Sequence, residues 1–560
     1  MQKAPLIGLA TLLAAGFALA IEPDHLNQQT PPLPPYLKPA PEENFALPPV
    51  APDAAVIMPS AQNVVLDRVL FVGNSVVSTQ DLQAVAAPLI GKVVGAADIE
   101  TLRQQASLLY VKRGYVNSGV VLAADAFKQR TLTLRVIEGR LKEIRLRGLD
   151  GLNEHYVADR LAQGDEPFNL QTLGERFQLL LTDPLFDRMN AQLLPDTERG
   201  KAILNVDIDR ALPYQLSLSA NNYRPVSIGA ENATLSGWVR NLTGRGDILE
   251  ASYQSPLGDG SARRSALGWR MPLNTWGTQL SVNYDQGSSS VIEQPLEPID
   301  IQSQLFNHDI GISQTLFETL RHKLVVGINR VGREDRTTLL GVPFSFTPGE
   351  PTGTSEATDW RFWQEYSHRW DKQVLALRST FTKGENNQTD IGTVPGATPD
   401  RRYCVWLGQA QYAQRLFDKD TQLIVRLNVQ SSPQRLLAME GMSVGGISTV
   451  RGYRENQMVR DNGAVANVEL DFPLIADGAN KLHLNLRPFF DYGRAWNKGE
   501  EKSAISSVGL VARLRWQRWA LDLALAKRRS HPDSVTSSGS NLQDKGIHIQ
   551  VSYNFFGAGQ

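Results

Sequence analysis

The chain has 560 residues, 57 Lys and Arg against 58 Asp and Glu, and a single cysteine, Cys404. That length is too great for one ordinary globular domain. One cysteine excludes an internal disulfide and a cysteine-based metal site, and the balanced charge by itself argues neither for nor against nucleic acid.

The N-terminus predicts a signal peptide over residues 1–20. Lys3 supplies the positive start, Leu6 to Ala20 the apolar run, and Ala18-Leu19-Ala20 the small-x-small cleavage form. The run is short for a membrane-spanning helix, which needs about 20 apolar residues. Residues 21–60 form a proline-rich linker, with eleven prolines between positions 21 and 59; that density favours extended chain over a packed core. Only Ile21 to Thr30 could form a short N-terminal helix.

From Val64 the texture becomes regular. Val64 to Phe71 predicts a strand, Ser78 to Leu89 a helix with a Ser cap, and Ala97 to Arg113 a longer helix. Tyr115 to Leu122 and Arg130 to Glu138 alternate as strands. The same β-α-α-β-β order returns in Leu141 to Arg147, Asn153 to Ala162, Leu170 to Thr182, Asp187 to Leu194 and Ala202 to Asp209. Two copies of a small α+β unit make a tandem repeat, and repeated modules present binding surfaces. A single α/β domain is the plainer alternative.

Beyond Pro213 period-2 alternation persists to the end of the chain. Leu216, Leu218 and Ala220 oppose Gln215, Ser217 and Ser219; Ile547, Ile549, Val551 and Tyr553 oppose His548, Gln550, Ser552 and Asn554. A strand between lipid and a wet lumen must alternate in this way. Candidate strands start near residues 213, 231, 246, 262, 276, 307, 321, 358, 372, 402, 421, 463, 481, 506, 519 and 545. Sixteen is an even number, as closure of a bacterial barrel requires. A soluble sandwich or propeller is the alternative, and it explains the aromatic-rich apolar faces less well.

Two segments carry the functional expectation. Residues 432–462 form a long loop with Arg435, Arg451, Arg454 and Arg460, containing Val450-Arg451-Gly452-Tyr453. In the run Lys481 to Gly493 the apolar parity must face lipid, so Phe489, Asp491 and Gly493 point inward. Asn467, Glu469 and Asp471 of the preceding strand point inward too. An acidic wall attracts a basic loop, and an Arg–carboxylate pair withdrawn from bulk water is the strong, bidentate kind. An ordinary external loop with solvated arginines has the same spacing and charge, and the sequence does not separate the two. Motifs for chemistry are missing: there is no Gly-x-Ser-x-Gly, no phosphate-binding Gly-Lys loop, and the eight histidines are scattered. No catalytic residue, metal ligand or cofactor is expected.

Taken together these residues resemble the outer-membrane transporters of two-partner secretion, the TpsB family. The likeness is most specific at Leu132 to Arg140, which looks like the junction between two POTRA modules, at Val450-Arg451-Gly452-Tyr453, and at Phe489-x-Asp491-x-Gly493. It implies a mostly β protein: a 16-stranded transmembrane β-barrel over 211–560, preceded by two α+β POTRA domains at 61–139 and 140–210. It implies a pore that exports one large, β-helical exoprotein unfolded and without ATP, with the POTRA modules in the periplasm recognising that partner. Arg451 would pair with Asp491, Gly452 would let the backbone turn, and Tyr453 would pack at the loop tip. The other expected partners are outer-membrane lipid and the barrel-assembly machinery, with no nucleic acid. A barrel-assembly factor of the same superfamily is the alternative; such proteins commonly carry more POTRA modules than the two that fit here. Porins lack the periplasmic modules altogether.

Overall fold

The computed structural model describes residues 33, 45–46, 64–162, 164, 166–417, 421–530 and 541–556. The expected signal peptide and the possible short helix at Ile21 to Thr30 lie outside them. So does the linker, apart from Leu33 and the two-residue strand Phe45–Ala46. The chain forms two compact units, one of residues 39–211 and one of residues 212–560 together with residues 1–38.

The first unit holds two modules of identical topology. Module one is β1 (Arg68–Val72), α1 (Thr79–Ala86), α2 (Ala96–Lys112), β2 (Gly119–Lys128) and β3 (Thr131–Ile137); β3 pairs parallel to β1 and antiparallel to β2. Module two is β4 (Arg140–Arg147), α3 (Glu154–Leu161), α4 (Leu170–Leu180), β5 (Phe186–Pro195) and β6 (Lys201–Arg210), with β6 parallel to β4 and antiparallel to β5. The helices start where polar caps can take up free N–H groups. Ser78 Oγ accepts from Asp81 N at 3.1 Å and Asn169 Oδ1 from Gln171 N at 2.9 Å. Each module buries its own core, Leu82, Leu102, Tyr110 and Leu132 in the first and Val157, Leu173, Phe177 and Leu204 in the second. Two strand expectations shift. The first breaks at Leu66-Asp67, and the strand expected from Tyr115 starts at Gly119, because Gly114 to Ser118 turn the chain out of α2.

The stretch Leu132 to Arg140 ties the modules together. Leu132, Leu134 and Val136 point into the first core. Glu138 then reaches back to accept from Ser75 N at 2.6 Å, Val76 N at 2.9 Å and the Tyr110 hydroxyl at 3.2 Å. Gly139 donates to Ser118 Oγ and accepts from Phe168 N at 2.7 Å, while Leu170 N donates to Gly114 O at 2.9 Å. Backbone hydrogen bonds between modules leave little freedom at their joint.

The second unit is a closed antiparallel barrel. Its strands are β7 (Tyr214–Asn221), β8 (Asn232–Arg240), β9 (Ile248–Pro256), β10 (Arg263–Pro272), β11 (Thr278–Ser290), β12 (Ile301–Glu318), β13 (His322–Leu339) and β14 (Thr354–Arg369). Then come β15 (Gln373–Asn386), β16 (Arg402–Leu416), β17 (Thr421–Ser431), β18 (Asn462–Asp477), β19 (Leu482–Trp496), β20 (Ser503–Trp516), β21 (Trp519–Arg528) and β22 (Ile547–Asn554). Closure is between β7 and β22, with Leu218 opposite Tyr553. A two-residue strand, Val342–Pro343, only extends the end of β13. The barrel thus has the sixteen strands that alternation predicts. Strands β12 and β14 begin earlier than residues 307 and 358, because their polar ends pair beyond the apolar band.

Outward parity carries exposed Leu218, Leu235, Tyr253, Leu267, Ile310, Phe362, Phe381 and Phe490, the apolar band that lipid requires. The short turns lie at the end where β7 begins, and the long loops lie at the other. Leu33 rests on the inner wall near the short-turn end, against Val374, Ala413 and Ile424.

Candidate functional site

The loop between β17 and β18 folds back into the lumen as a hairpin, Met442–Val444 paired with Met458–Arg460. Its tip carries the Val450 to Tyr453 motif. The polar composition of residues 432–462 is therefore that of an internal element, matched to a polar wall.

Arg451 is the centre of the seat. Its Nε and NH2 donate to the two oxygens of Asp491 at 2.8 and 2.7 Å, and its own backbone N–H donates to the same carboxylate at 3.0 Å. NH1 reaches Glu469 at 2.7 Å. The guanidinium lies 3.6 Å from the centre of the Phe489 ring, so one cation meets two anions and an aromatic face. Arg451 is 6% exposed and Asp491 0%. Asn467 Nδ2 gives Asp491 a further hydrogen bond at 2.7 Å, and Arg426 holds Glu469 at 2.6 Å. Burial on this scale makes each charge depend on its partner. Removing one side of such a pair costs about 3–5 kcal/mol, because the other is left buried and uncompensated.

The neighbouring motif residues each have a steric or polar task. Gly452 has φ +89°, and a Cβ there would lie 2.7 Å from Ala526 Cβ. Its N–H donates to His548 Nε2 at 3.0 Å and its carbonyl accepts from Arg528 Nε at 2.5 Å. The buried Tyr453 hydroxyl donates to Ser506 O at 3.0 Å and also meets Ser530. Val450 packs with Met442, Val444, Met458, Val465, Ala495 and Ile505. Gly493 makes this packing possible, since its missing Cβ would stand 2.4 Å from Val444 and 2.8 Å from Val450. Phe489, Asp491 and Gly493 thus offer the loop a ring, an anion and a space in one inward-facing row.

Three parts of the seat lie outside the two motifs. His548 on β22 accepts the Gly452 amide, and only its inward parity marked it. Glu440, at the base of the hairpin, sits between Arg333 of β13 at 2.8 Å and Arg361 of β14 at 3.3 Å. Arg333 also donates to Met439 O at 2.7 Å, and Asp359 holds Arg361 at 2.8 Å while accepting from Tyr403. Arg454 crosses to Asp544 at 2.6 Å and Glu293 at 2.8 Å, joining the tip to two other external loops. Among the described residues no cluster of three or more His, Cys, Asp or Glu could hold a metal ion.

A closed sixteen-strand barrel with a loop in its lumen, following two POTRA modules in the chain, defines a class: an outer-membrane transporter with its POTRA domains in the periplasm. The family model described as haemolysin secretion/activation protein ShlB/FhaC/HecB matches residues 200–516, and that of the ShlB-type POTRA domain matches residues 64–139. The chain belongs to the haemolysin secretion/activation family ShlB/FhaC/HecB. It is 21% identical to the outer membrane transporter CdiB of Dickeya dadantii, over 80% of each chain. To the heme/hemopexin transporter protein HuxB of Haemophilus influenzae it is 22% identical, over 78% of this chain and 75% of that one. The fold is similar to the solved structure of CdiB from Escherichia coli, with TM-score 0.67, 17% identity, and coverage of 90% of this chain and 93% of that one.

Proposed function

We propose that this protein is the outer-membrane pore for one large secreted partner, which its periplasmic modules capture and its barrel passes unfolded to the cell surface. The loop at residues 432–462 holds the transport-competent conformation of the barrel through Arg451 and Asp491, and it shifts aside as the partner passes. The observation that carries this reading is the hairpin seated inside the barrel: a loop buried there occupies the conduit until it moves. Transport needs no chemical step of the protein's own, since a partner that folds outside cannot slide back. The partner's class is a long β-structured exoprotein; the family's description as haemolysin secretion/activation proteins supports a secreted protein as cargo. Two POTRA modules among the described residues, and the match to the secretion family, favour this over the assembly of other barrels.

The test is co-expression with a candidate large secreted exoprotein, with that partner measured in the medium. The wild type is expected to release it, and Arg451→Ala and Asp491→Ala are expected to release far less with the barrel still inserted. General loss of other outer-membrane barrels on deletion, with no partner released by the wild type, would favour the assembly reading instead.

A further inference from the structure

The outer surface of β13 to β16 changes character sharply near its external end. One cross-strand row is wholly apolar, Ile328, Phe362, Phe381 and Trp406 lying opposite one another in register and all exposed. The next row outward is Arg330, Trp360, Lys383 and Cys404. The row beyond it places Glu385 opposite Arg402, with Arg401 alongside.

The two outer rows line an open recess of about 740 Å³ on the barrel's outside, next to the apolar row, with four cations against the carboxylates Glu356 and Glu385. Arg401 and Arg402 share the one carboxylate of Glu385, at 3.2 and 3.8 Å, and their side chains are 67% and 83% exposed. The Arg330 guanidinium stands 5.2 Å from the ring of Trp360, and Lys383 is exposed in the same row. At the external ends of β7 to β9 the corresponding outward row is Ala220, Ala233 and Ser255, with no charge. A step from apolar to basic within one strand repeat marks the boundary between hydrocarbon and headgroup, and Trp sits at that level by preference. Four cations against two carboxylates leave the recess with a net positive charge that an anion can meet.

We propose that this recess binds the phosphorylated headgroup of an outer-leaflet glycolipid. Arg401, Arg402 and Lys383 meet its phosphates, Arg330 and Trp360 its sugar edge, and the Ile328 to Trp406 row its acyl chains. Arginine and lysine recognise phosphate through charge-assisted hydrogen bonds, which strengthen beside an apolar surface. The outer leaflet of a Gram-negative outer membrane consists of such glycolipid, so the ligand is present at the face where the recess opens. The inference concerns the barrel's lipid contact and does not depend on what the lumen transports.

The experiment titrates diphosphoryl lipid A into the purified full-length protein in detergent and counts bound lipid by native mass spectrometry. The triple variant Lys383→Gln/Arg401→Gln/Arg402→Gln is compared with Arg321→Gln/Lys372→Gln, which removes charge at the short-turn end. The triple variant is expected to bind at least about ten-fold more weakly and the control pair to bind as the wild type does. Dephosphorylated lipid A and phosphatidylglycerol are expected to bind the wild type about as weakly as lipid A binds the triple variant. Unchanged affinity in a folded triple variant overturns the proposal, and so does equal binding of either comparison lipid. Should the triple variant not fold, Lys383→Gln alone decides the matter, with a loss of about three-fold expected and none overturning it.

Discussion

The hairpin in the lumen is held at both ends by arginine and carboxylate, but the charges are reversed. At the tip, the loop supplies the cation and the wall of β18 and β19 the anions, Arg451 to Asp491 and Glu469. At the base, the loop supplies the anion and β13 and β14 the cations, Glu440 to Arg333 and Arg361. Strands β13 and β14 stand seventh and eighth in the barrel and β19 thirteenth, so the two anchors sit on well-separated parts of the wall. A loop anchored in this way is a bar across the lumen. Opposite polarity also means neither anchor can exchange its partner for the other's. If the tip slid toward β13 and β14, Arg451 would meet Arg333 and Arg361, a like-charge contact that costs free energy. The arrangement specifies where each end sits as well as how firmly it is held.

The largest expected effect comes from breaking the tip. Arg451→Ala leaves Asp491 and Glu469 facing one another in a buried site, a loss of about 3–5 kcal/mol at the seat. Asp491→Ala leaves the Arg451 backbone N–H and guanidinium short of their main acceptor. In planar bilayers each variant is expected to show more frequent open events than the wild type. The double variant is expected to differ little from either single, because the two residues act as one interaction. Additive effects would sink the claim that they form one lock.

Glu440→Gln probes the base and is expected to act in the same direction but less strongly, about 2–3 kcal/mol, since Asp359 stays beside Arg361. The informative comparison is Asp491→Ala with Asp491→Ala/Glu440→Gln. A bar with two supports predicts that the second lesion adds fully to the first, being far from it. Disulfide trapping of the hairpin against β19 should then become inefficient only in the double variant. If Glu440→Gln alone already frees the tip, the two ends are not independent.

The same comparison explains what the sequence could and could not disclose. The strands were legible because alternation is local, and fourteen of the sixteen begin within three residues of where the pattern places them. The tip seat was legible as two candidate clusters because its groups are contiguous: Val450 to Tyr453 on one segment, and Phe489, Asp491 and Gly493 spaced by two on another. Their pairing was expected from the family resemblance, because charge and spacing alone left an ordinary external loop equally open. The base was illegible for the opposite reason. Glu440, Arg333, Arg361 and Asp359 come from three segments with no shared spacing, and inward arginines on a barrel strand look alike until one carboxylate selects two of them. The hairpin pairing of Met442–Val444 was hidden as well, because its three-residue strands are shorter than any reliable alternation.

His548 sharpens the comparison within the tip. Its Nε2 accepts the Gly452 amide, which requires a neutral ring with the proton on Nδ1. His548→Leu strands that buried N–H at a cost of about 1–3 kcal/mol. His548→Gln, whose amide oxygen can accept, is expected to recover most of the loss in channel closure. If Leu and Gln behave alike, the ring acts by filling space and the amide contact is incidental. Gly493→Ala tests the apolar half of the same seat and is expected to cost about 1–3 kcal/mol by driving a methyl into Val444 and Val450.

The smallest effect belongs to a carboxylate clasp outside the membrane. Glu138 also gathers donors from distant segments, yet it is only partly buried, so water competes for each of them. Burial pushes its carboxyl up, but the hydroxyl and backbone N–H of Ser75 and the N–H of Val76 outweigh that and hold it below its ordinary value. A lowered folded-state value contributes stability that is complete above the unfolded value, about 4.3, and is lost as pH falls through the folded one. Residues 61–210 contain both module cores in full, so their urea unfolding can be followed by circular dichroism without the barrel. Glu138→Gln should lower stability by about 1–2 kcal/mol at pH 7, and the gap from wild type should narrow once pH drops below about 4. A gap that stays constant with pH would mean that the clasp works through shape alone. It would then share with Asp491 only the geometry of a carboxylate and not the charge.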